Sequence, residues 1–305
     1  MMCSSIANPV LSPEKSTNVR ASNLPAAVIG ALAHRLRLSS RSERAARDFL
    51  TPVRNVPPPM LPEPAGMSVP LDVPEWPSHL NVRSWGQGPA VLLMHGWGGN
   101  LYDLGAFVAP LLERGFRAVA VDAPAHGRSA GEMSSLPDMA RAVAAVARTA
   151  GPLAGAVGHS MGAAALMLAL EAGVQADRVV LIGIPQDPLD HIRYYANRHR
   201  LDARTVWEMR NRIAELTGRD PAGINLAATA ARLRTPALFI HSADDRLAPV
   251  SEALHRAAAW KGARVHLMEG VGHRAILRDP ETVHETVGFL AEGRSAQGRS
   301  LNTTP

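Results

Sequence analysis

Cysteine is almost missing from this 305-residue chain. Cys3 stands alone, so no intrachain disulfide can form. With no apolar stretch followed by a small-residue cleavage site near the start, a reducing, cytoplasmic setting is the expectation. Lysine is nearly as scarce: Lys15 and Lys261 are the only two, and the formal charge of +5 rests on arginine, much of it within residues 1–54. No aromatic-interleaved basic patch and no zinc-finger spacing occurs, so nucleic acid is not an expected partner. Aromatic residues make up only 4% of the chain. No apolar run reaches the roughly 18 residues of a membrane-spanning helix. Phosphate-binding and dinucleotide loops are missing as well, and the one zincin-like string, HETVG at 284–288, lacks its second histidine. No metal and no cofactor is therefore expected.

Apolar residues are plentiful at 46%, supplied mainly by alanine, leucine and valine. Residues 1–69 read as a polar disordered start, a short amphipathic helix over 24–38, and an extended segment over 51–64 that holds six prolines. From about residue 70, apolar runs of strand length alternate with helical runs. Strands are expected at Leu80–Trp85, Ala90–Met94, Phe116–Val121, Leu153–Val157, Arg178–Ile184, Ala237–Ile240 and Val265–Met268. The helices between them include Asn100–Arg114, Leu136–Ala150, Met161–Ala172 and Ser251–Trp260, with Glu281–Leu290 closing the chain. Continuous apolar strands alternating with helices predict an α/β fold, a mostly parallel twisted sheet covered on both faces. Residues 188–234 break the rhythm: they are helical and arginine-rich, with no convincing strand. They are expected to form a small helical cap between core segments 70–187 and 235–293, a long crossover being the alternative. A disordered tail is expected over 294–305.

The stretch AVGHSMGAAA at 156–165 joins an apolar strand to an alanine-rich helix through a single serine flanked by glycines. A serine at the apex of so tight a turn is held in a strained backbone with its hydroxyl exposed. Gly158 and Gly162 remove Cβ atoms where neighbouring turns close in. The helix start behind it offers N–H groups and a favourable dipole to an anion. Ser160 is thus the candidate nucleophile, in a G-x-S-x-G elbow.

A serine hydroxyl needs a base, and the base an orienting acid. Among twelve histidines, His273 follows a strand and a glycine in EGVGHR and is the best placed. His266 lies inside a strand, and His255 and His284 lie on helices. His159, beside the nucleophile, reads as packing; His95 and His126 read as turn builders. Asp245 is the preferred acid, with Asp244 beside it and Asp187 after the preceding strand as alternatives. The developing oxyanion needs two donors. The backbone N–H of Met161 is one, and that of Trp97 in HGWGG is the choice for the other, its indole lining the pocket or simply packing.

HGWGG at 95–99, DAPAHGRS at 122–129, GHSMG at 158–162, SADDRLAP at 242–249 and GVGH at 270–273 occur in that order. Through these five motifs, roughly residues 80–293 resemble the α/β-hydrolase fold family, in its branch of serine esterases, lipases and aminopeptidases. The resemblance implies a triad in the order Ser160, Asp245, His273, places the acid at Asp245 four residues before Pro249, and makes Asp122 structural. Ser242 stands where many relatives have glycine, a tolerable departure. The implied activity is hydrolysis of a carboxylic ester or related acyl bond of a small-molecule substrate through a seryl acyl-enzyme. An acyltransferase, a cofactor-free haloperoxidase and a C–C hydrolase share the scaffold, as do non-catalytic binding proteins. Dehalogenases and epoxide hydrolases carry aspartate at the elbow, which Ser160 argues against.

Overall fold

The computed structural model describes residues 41–56, 69–74 and 76–300. The helix expected at 24–38 and most of the proline-rich segment lie outside the described residues. Helix α1 covers residues 41–50. Strands β1 (Val69–Pro70), β2 (Val82–Trp85) and β3 (Ala90–Met94) follow, then a 3-10 helix over Leu101–Phe107 that runs into α2 (Val108–Glu113). The rest of the core is β4 (Arg117–Val121), α3 (Leu136–Ala150), β5 (Leu153–His159), α4 (Met161–Glu171) and β6 (Val179–Ile182). Next come α5 (Pro188–Arg198), α6 (Ala203–Thr217) and α7 (Leu226–Arg232), then β7 (Ala237–Ser242), α8 (Val250–Ala259), β8 (Arg264–Met268) and α9 (Pro280–Ser300).

The strands form one eight-stranded sheet in the order β1-β2-β4-β3-β5-β6-β7-β8. Neighbours are parallel from β4 to β8, while β1 and β2 form an antiparallel edge. The expected α/β architecture is what is found. Strand β3 shows why: all five of AVLLM are buried. Leu92 and Met94 face a core shared with α3, α4, α7 and α8, whereas Val91 and Leu93 face one shared with α2 and α9. Alternate residues thus point to opposite faces of the sheet, both covered from β4 through β3 to β7, whereas the edge strand β8 is largely exposed. Helix α4 is buried along nearly its whole length, and its alanines let it lie close on the sheet.

The chain leaves β3 toward β4 on one side and leaves β5 toward β6 on the other. This reversal makes the carboxyl ends of β3 and β5 the switch point of the sheet, where a crevice opens. HGWGG follows β3 and the serine elbow follows β5, so both motifs lie at that crevice.

Three differences from the sequence expectations concern the borders of the fold. Strand β1 was not expected; it is two residues long, ends in proline and only edges the sheet. Helix α9 runs to Ser300, through part of the expected disordered tail. The helices of residues 188–234, the interval expected to form a cap, do not pack as one unit. Leu226 and Ala230 of α7 are buried in the sheet-domain core with Ile224 and Leu233, so α7 is a core helix. Helices α5 and α6 instead share a separate small core with α1, made of Ala45, Ala46, Leu50, Ile192, Met209 and Ile213. The α1 side chains reach across the sequence to hold it: Tyr195 Oη donates to Asp48 (2.5 Å), and Arg212 pairs with Glu43. Helix α1, in the segment expected to be an N-terminal tail, thus packs in one cluster with α5 and α6.

Candidate active site

Ser160 has φ 52° and ψ −122°. That left-handed conformation is costly for any residue with a Cβ, on the order of 1–3 kcal/mol, and it is held by packing on both sides. A Cβ on Gly158 would lie 2.7 Å from the Ala163 Cα, and one on Gly162 only 2.4 Å from the carbonyl oxygens of Met94 and His95. Both positions are closed to side chains, as the elbow reading requires. The Ser160 N–H donates to the Ile182 carbonyl (2.9 Å), tying the apex to the end of β6.

His273 Nδ1–H donates to Asp245 Oδ2 at 2.6 Å. The other carboxylate oxygen of Asp245 accepts from the N–H groups of Leu247 (2.8 Å) and Ala248 (2.9 Å). Burial alone would raise the Asp245 carboxyl, but the His273 hydrogen bond and the two amides outweigh it and hold the group below its ordinary value. Asp245 is thus fixed as a carboxylate, and it fixes the His273 tautomer with Nε2 free to accept a proton. Ser160 and His273 line one cavity of about 700 Å³. The Ser160 hydroxyl makes no hydrogen bond among the described residues, as is common for a nucleophile before substrate aligns it.

The two alternative acids are committed elsewhere. Asp187 accepts from the buried Arg256 (3.0 Å) and from the Leu226 N–H (3.1 Å). Asp244 accepts from Ser242 Oγ and from the Gly272 N–H. Neither is hydrogen-bonded to His273.

An Asp–His pair at hydrogen-bond distance, beside a serine on a strained strand–helix turn at the sheet's switch point, is the arrangement the five motifs imply. The model of the alpha/beta hydrolase family matches residues 91–286, well over half the chain. The chain belongs to the alpha/beta hydrolase family. A Variovorax paradoxus protein with a provisional carbamate hydrolase name is 34% identical over 120 residues, 38% of this chain. That match spans only 45% of the relative's own length. Among solved structures, an Exiguobacterium antarcticum esterase superposes with a TM-score of 0.55 at 19% identity, over 70% of this chain and 96% of its own. A Bacillus anthracis bromoperoxidase gives 0.58 at 17% identity, over 74% and 100%. At such identities the two structures speak to the fold alone.

Within this hydrolase, two residues given minor parts by the sequence prove central to the site's geometry. His159 is buried, and its Nε2–H donates to the His273 carbonyl at 2.8 Å, with the two rings 4.7 Å apart. A carbonyl only accepts, so Nε2 carries the proton. Burial, reinforced by the neighbouring His273, pushes the His159 pKa down to about 3. His159 is therefore a neutral clamp on the His273 backbone. Ser242 accepts from the N–H groups of Val271 (3.3 Å) and Gly272 (3.0 Å), so it fastens the loop that carries His273 to the end of β7. His241, which the sequence did not single out, is fully buried and donates from Nε2 to the Ala248 carbonyl (2.8 Å), bracing the Asp245 loop.

The motif after β3 is held in a comparable way. His95 Nε2 accepts from the Ala123 N–H (2.9 Å), and its Nδ1–H donates to the Gly96 carbonyl (2.6 Å). Burial lowers its pKa, so it stays neutral. Asp122 accepts from the Leu101 and Arg128 N–H groups and from Asn81, a structural role. His126 packs edge-on against Trp97 at 5.0 Å. The N–H groups of Trp97 and Met161 make no hydrogen bond among the described residues.

Ser160 opens onto a second cavity of about 380 Å³, which is largely apolar. Its walls include Phe49 and Leu50 of α1, Ile192 and Tyr195 of α5, Ile213 of α6, Trp97 after β3 and Met161 at the start of α4, with Asp48 and Arg198 as charged members. His273 lines only the larger cavity, Ser160 and Trp97 line both. Among the described residues no group of three or more His, Cys, Asp or Glu side chains is placed to hold a metal. No described helix is long and apolar enough to cross a membrane.

Proposed function

We propose that this chain is a serine hydrolase that cleaves a carboxylic ester, or a related acyl bond, through a seryl acyl-enzyme. The observation that carries the reading is the Asp245–His273 hydrogen bond of 2.6 Å in the cavity onto which Ser160 opens. In this mechanism His273 Nε2 takes the proton from Ser160 Oγ as the oxygen attacks the acyl carbon. The tetrahedral oxyanion is received by the N–H groups of Met161 and Trp97. Collapse expels the leaving alkoxide or amine with the proton from His273, and water, activated by the same base, releases the acid. Asp245 stays ionised throughout and steadies the imidazolium.

The two cavities divide the substrate. His273 must protonate the leaving group, so the leaving group occupies the larger cavity, which His273 lines. The acyl chain then extends into the apolar cavity beneath α1, α5 and α6. In this reading α1 with residues 188–217 is the cap, while the sheet domain runs from residue 70 to α9. A reducing cytoplasm suits a chain whose only cysteine is Cys3.

Mass spectrometry after reaction with a fluorophosphonate tests the chemistry. The expected adduct is on Ser160. Labelling at another serine, or none on folded protein, overturns the proposal. Adding an alcohol to an ester assay separates hydrolysis from acyl transfer by whether free acid or a new ester accumulates.

A further inference from the structure

We propose that the substrate's leaving group carries an anionic carboxylate or phosphate, received by Arg246, Arg274 and Arg278. The inference rests on the seryl-hydrolase reading above and adds the class of leaving group. Arg246 directly follows the acid Asp245, and Arg274 directly follows the base His273. Arg278 ends the 3-10 turn Ala275–Arg278 that continues from His273. All three line the larger cavity together with Ser160 and His273. The guanidinium groups are therefore carried by the same two loops that carry the catalytic pair, within five residues of Asp245 or His273.

Arginines elsewhere on this molecule are mostly spoken for. Arg178 and Arg264 share Glu292, Arg212 pairs with Glu43, Arg232 with Glu171, and Arg256 with Asp187. Arg246, Arg274 and Arg278 are exposed and form no ion pair with a carboxylate among the described residues. The acids lining this cavity form no ion pair with them. Asp190 pairs with Arg193, and Asp103 accepts from the Asn100 N–H in its own helix cap. The imidazoles of His159 and His191 are both kept from charging by burial. The wall beside His273 thus presents three positive charges with no carboxylate partner among the described residues, against one carboxylate on the lining, Asp103, that no ion pair compensates. In contrast, the acyl cavity on the other side of Ser160 is walled mainly by apolar groups. Guanidinium forks match planar or tetrahedral oxyanions with paired N–H donors. An ester of an apolar acid with an anionic alcohol fits both halves at once.

The test compares hexanoyl esters of 4-hydroxyphenylacetate and of its primary amide. They share acyl chain and ring, and differ in the charge set away from the reacting bond. The carboxylate ester is expected to be preferred on the order of tenfold in kcat/KM, as one charge-assisted hydrogen bond supplies. That preference should shrink as salt is raised from low ionic strength, because exposed charges are screened. Arg278→Gln, the substitution farthest in sequence from the triad, should reduce the ratio, and Arg246→Gln with Arg274→Gln and Arg278→Gln should remove it. The inference is overturned if the wild type treats the two esters alike, or if salt and the triple substitution slow both equally and leave the ratio intact. If the amide ester turns over and Ser160 takes the phosphonate, the hydrolase reading survives such a result. If neither ester turns over and Ser160 stays unlabelled, both fall together.

Discussion

His159 illustrates how much of this site depends on residues that do no chemistry themselves. Its neutral ring holds the backbone of His273, while Asp245 holds the ring of the same residue, so the base is fixed from two directions. The acid can be tested directly. Asp245→Asn should leave the fold intact and lower kcat by up to about 10⁴, because the amide no longer enforces the Nδ1–H tautomer. Asp187→Asn should do the opposite: it weakens the partner of a buried guanidinium, lowering stability by about 3 kcal/mol or less while the folded enzyme keeps its chemistry. Denaturant melts beside single-turnover rates on both variants distinguish the roles, and a crippling Asp187→Asn with a near-silent Asp245→Asn would move the acid to Asp187. The elbow, Asp245 and His273 could be read from the sequence because each sits at a strand end with a distinctive neighbour: glycines, a proline four residues on, a preceding glycine. His159 and Ser242 could not, because their partners His273, Val271 and Gly272 lie far along the chain and only the fold brings them near; His241 meets Ala248 only seven residues on, but no distinctive neighbour marks it.

At the scale of elements, the strands were readable and the cap's borders were not. AVLLM and its counterparts are apolar enough to declare themselves. Helix α1, RSERAARDFL, has a narrow face of Ala45, Ala46 and Leu50 with Phe49 beside it, and that face acquires meaning only against Ile192, Met209 and Ile213. Likewise α7 looks no different from its neighbours in sequence, yet it packs on the sheet domain. If α1 walls the acyl cavity, Leu50→Trp should fill it. The overpacking costs about 1–3 kcal/mol, so circular dichroism should first show a folded protein. In a panel of 4-nitrophenyl esters from acetyl to decanoyl, the variant's optimum should move to shorter chains, and Ile213→Ala should move it the other way. An unchanged chain-length profile in both variants would remove α1 and α6 from the acyl site.

For the molecule as a whole, the number of buried histidines sets the response to acid. Burial lowers His95, His191 and His241, takes His126 to about 4 and takes His159 to about 3. Unfolding restores each to near 6.5, so below that pH the unfolded chain binds more protons than the folded one. Their contribution is complete above about pH 6.5 and is lost as pH falls toward the folded values, at about 1.4 kcal/mol per pH unit for each histidine that stays neutral. Urea denaturation at pH 7.5 and at pH 5.0 should show a loss of several kcal/mol, and an unchanged midpoint would mean these rings are not neutral in the folded protein. A different consequence follows from the way α1 is shared. During synthesis it leaves the ribosome well before the helices it packs against: Tyr195 and Arg212, which hold it, are encoded 147 and 169 residues later than their partners Asp48 and Glu43. At about 5–20 residues per second, the nascent segment waits on the order of ten seconds with its apolar face uncovered. Over that interval it is a target for chaperones and proteases, and the smaller cavity cannot close until α5 and α6 have emerged.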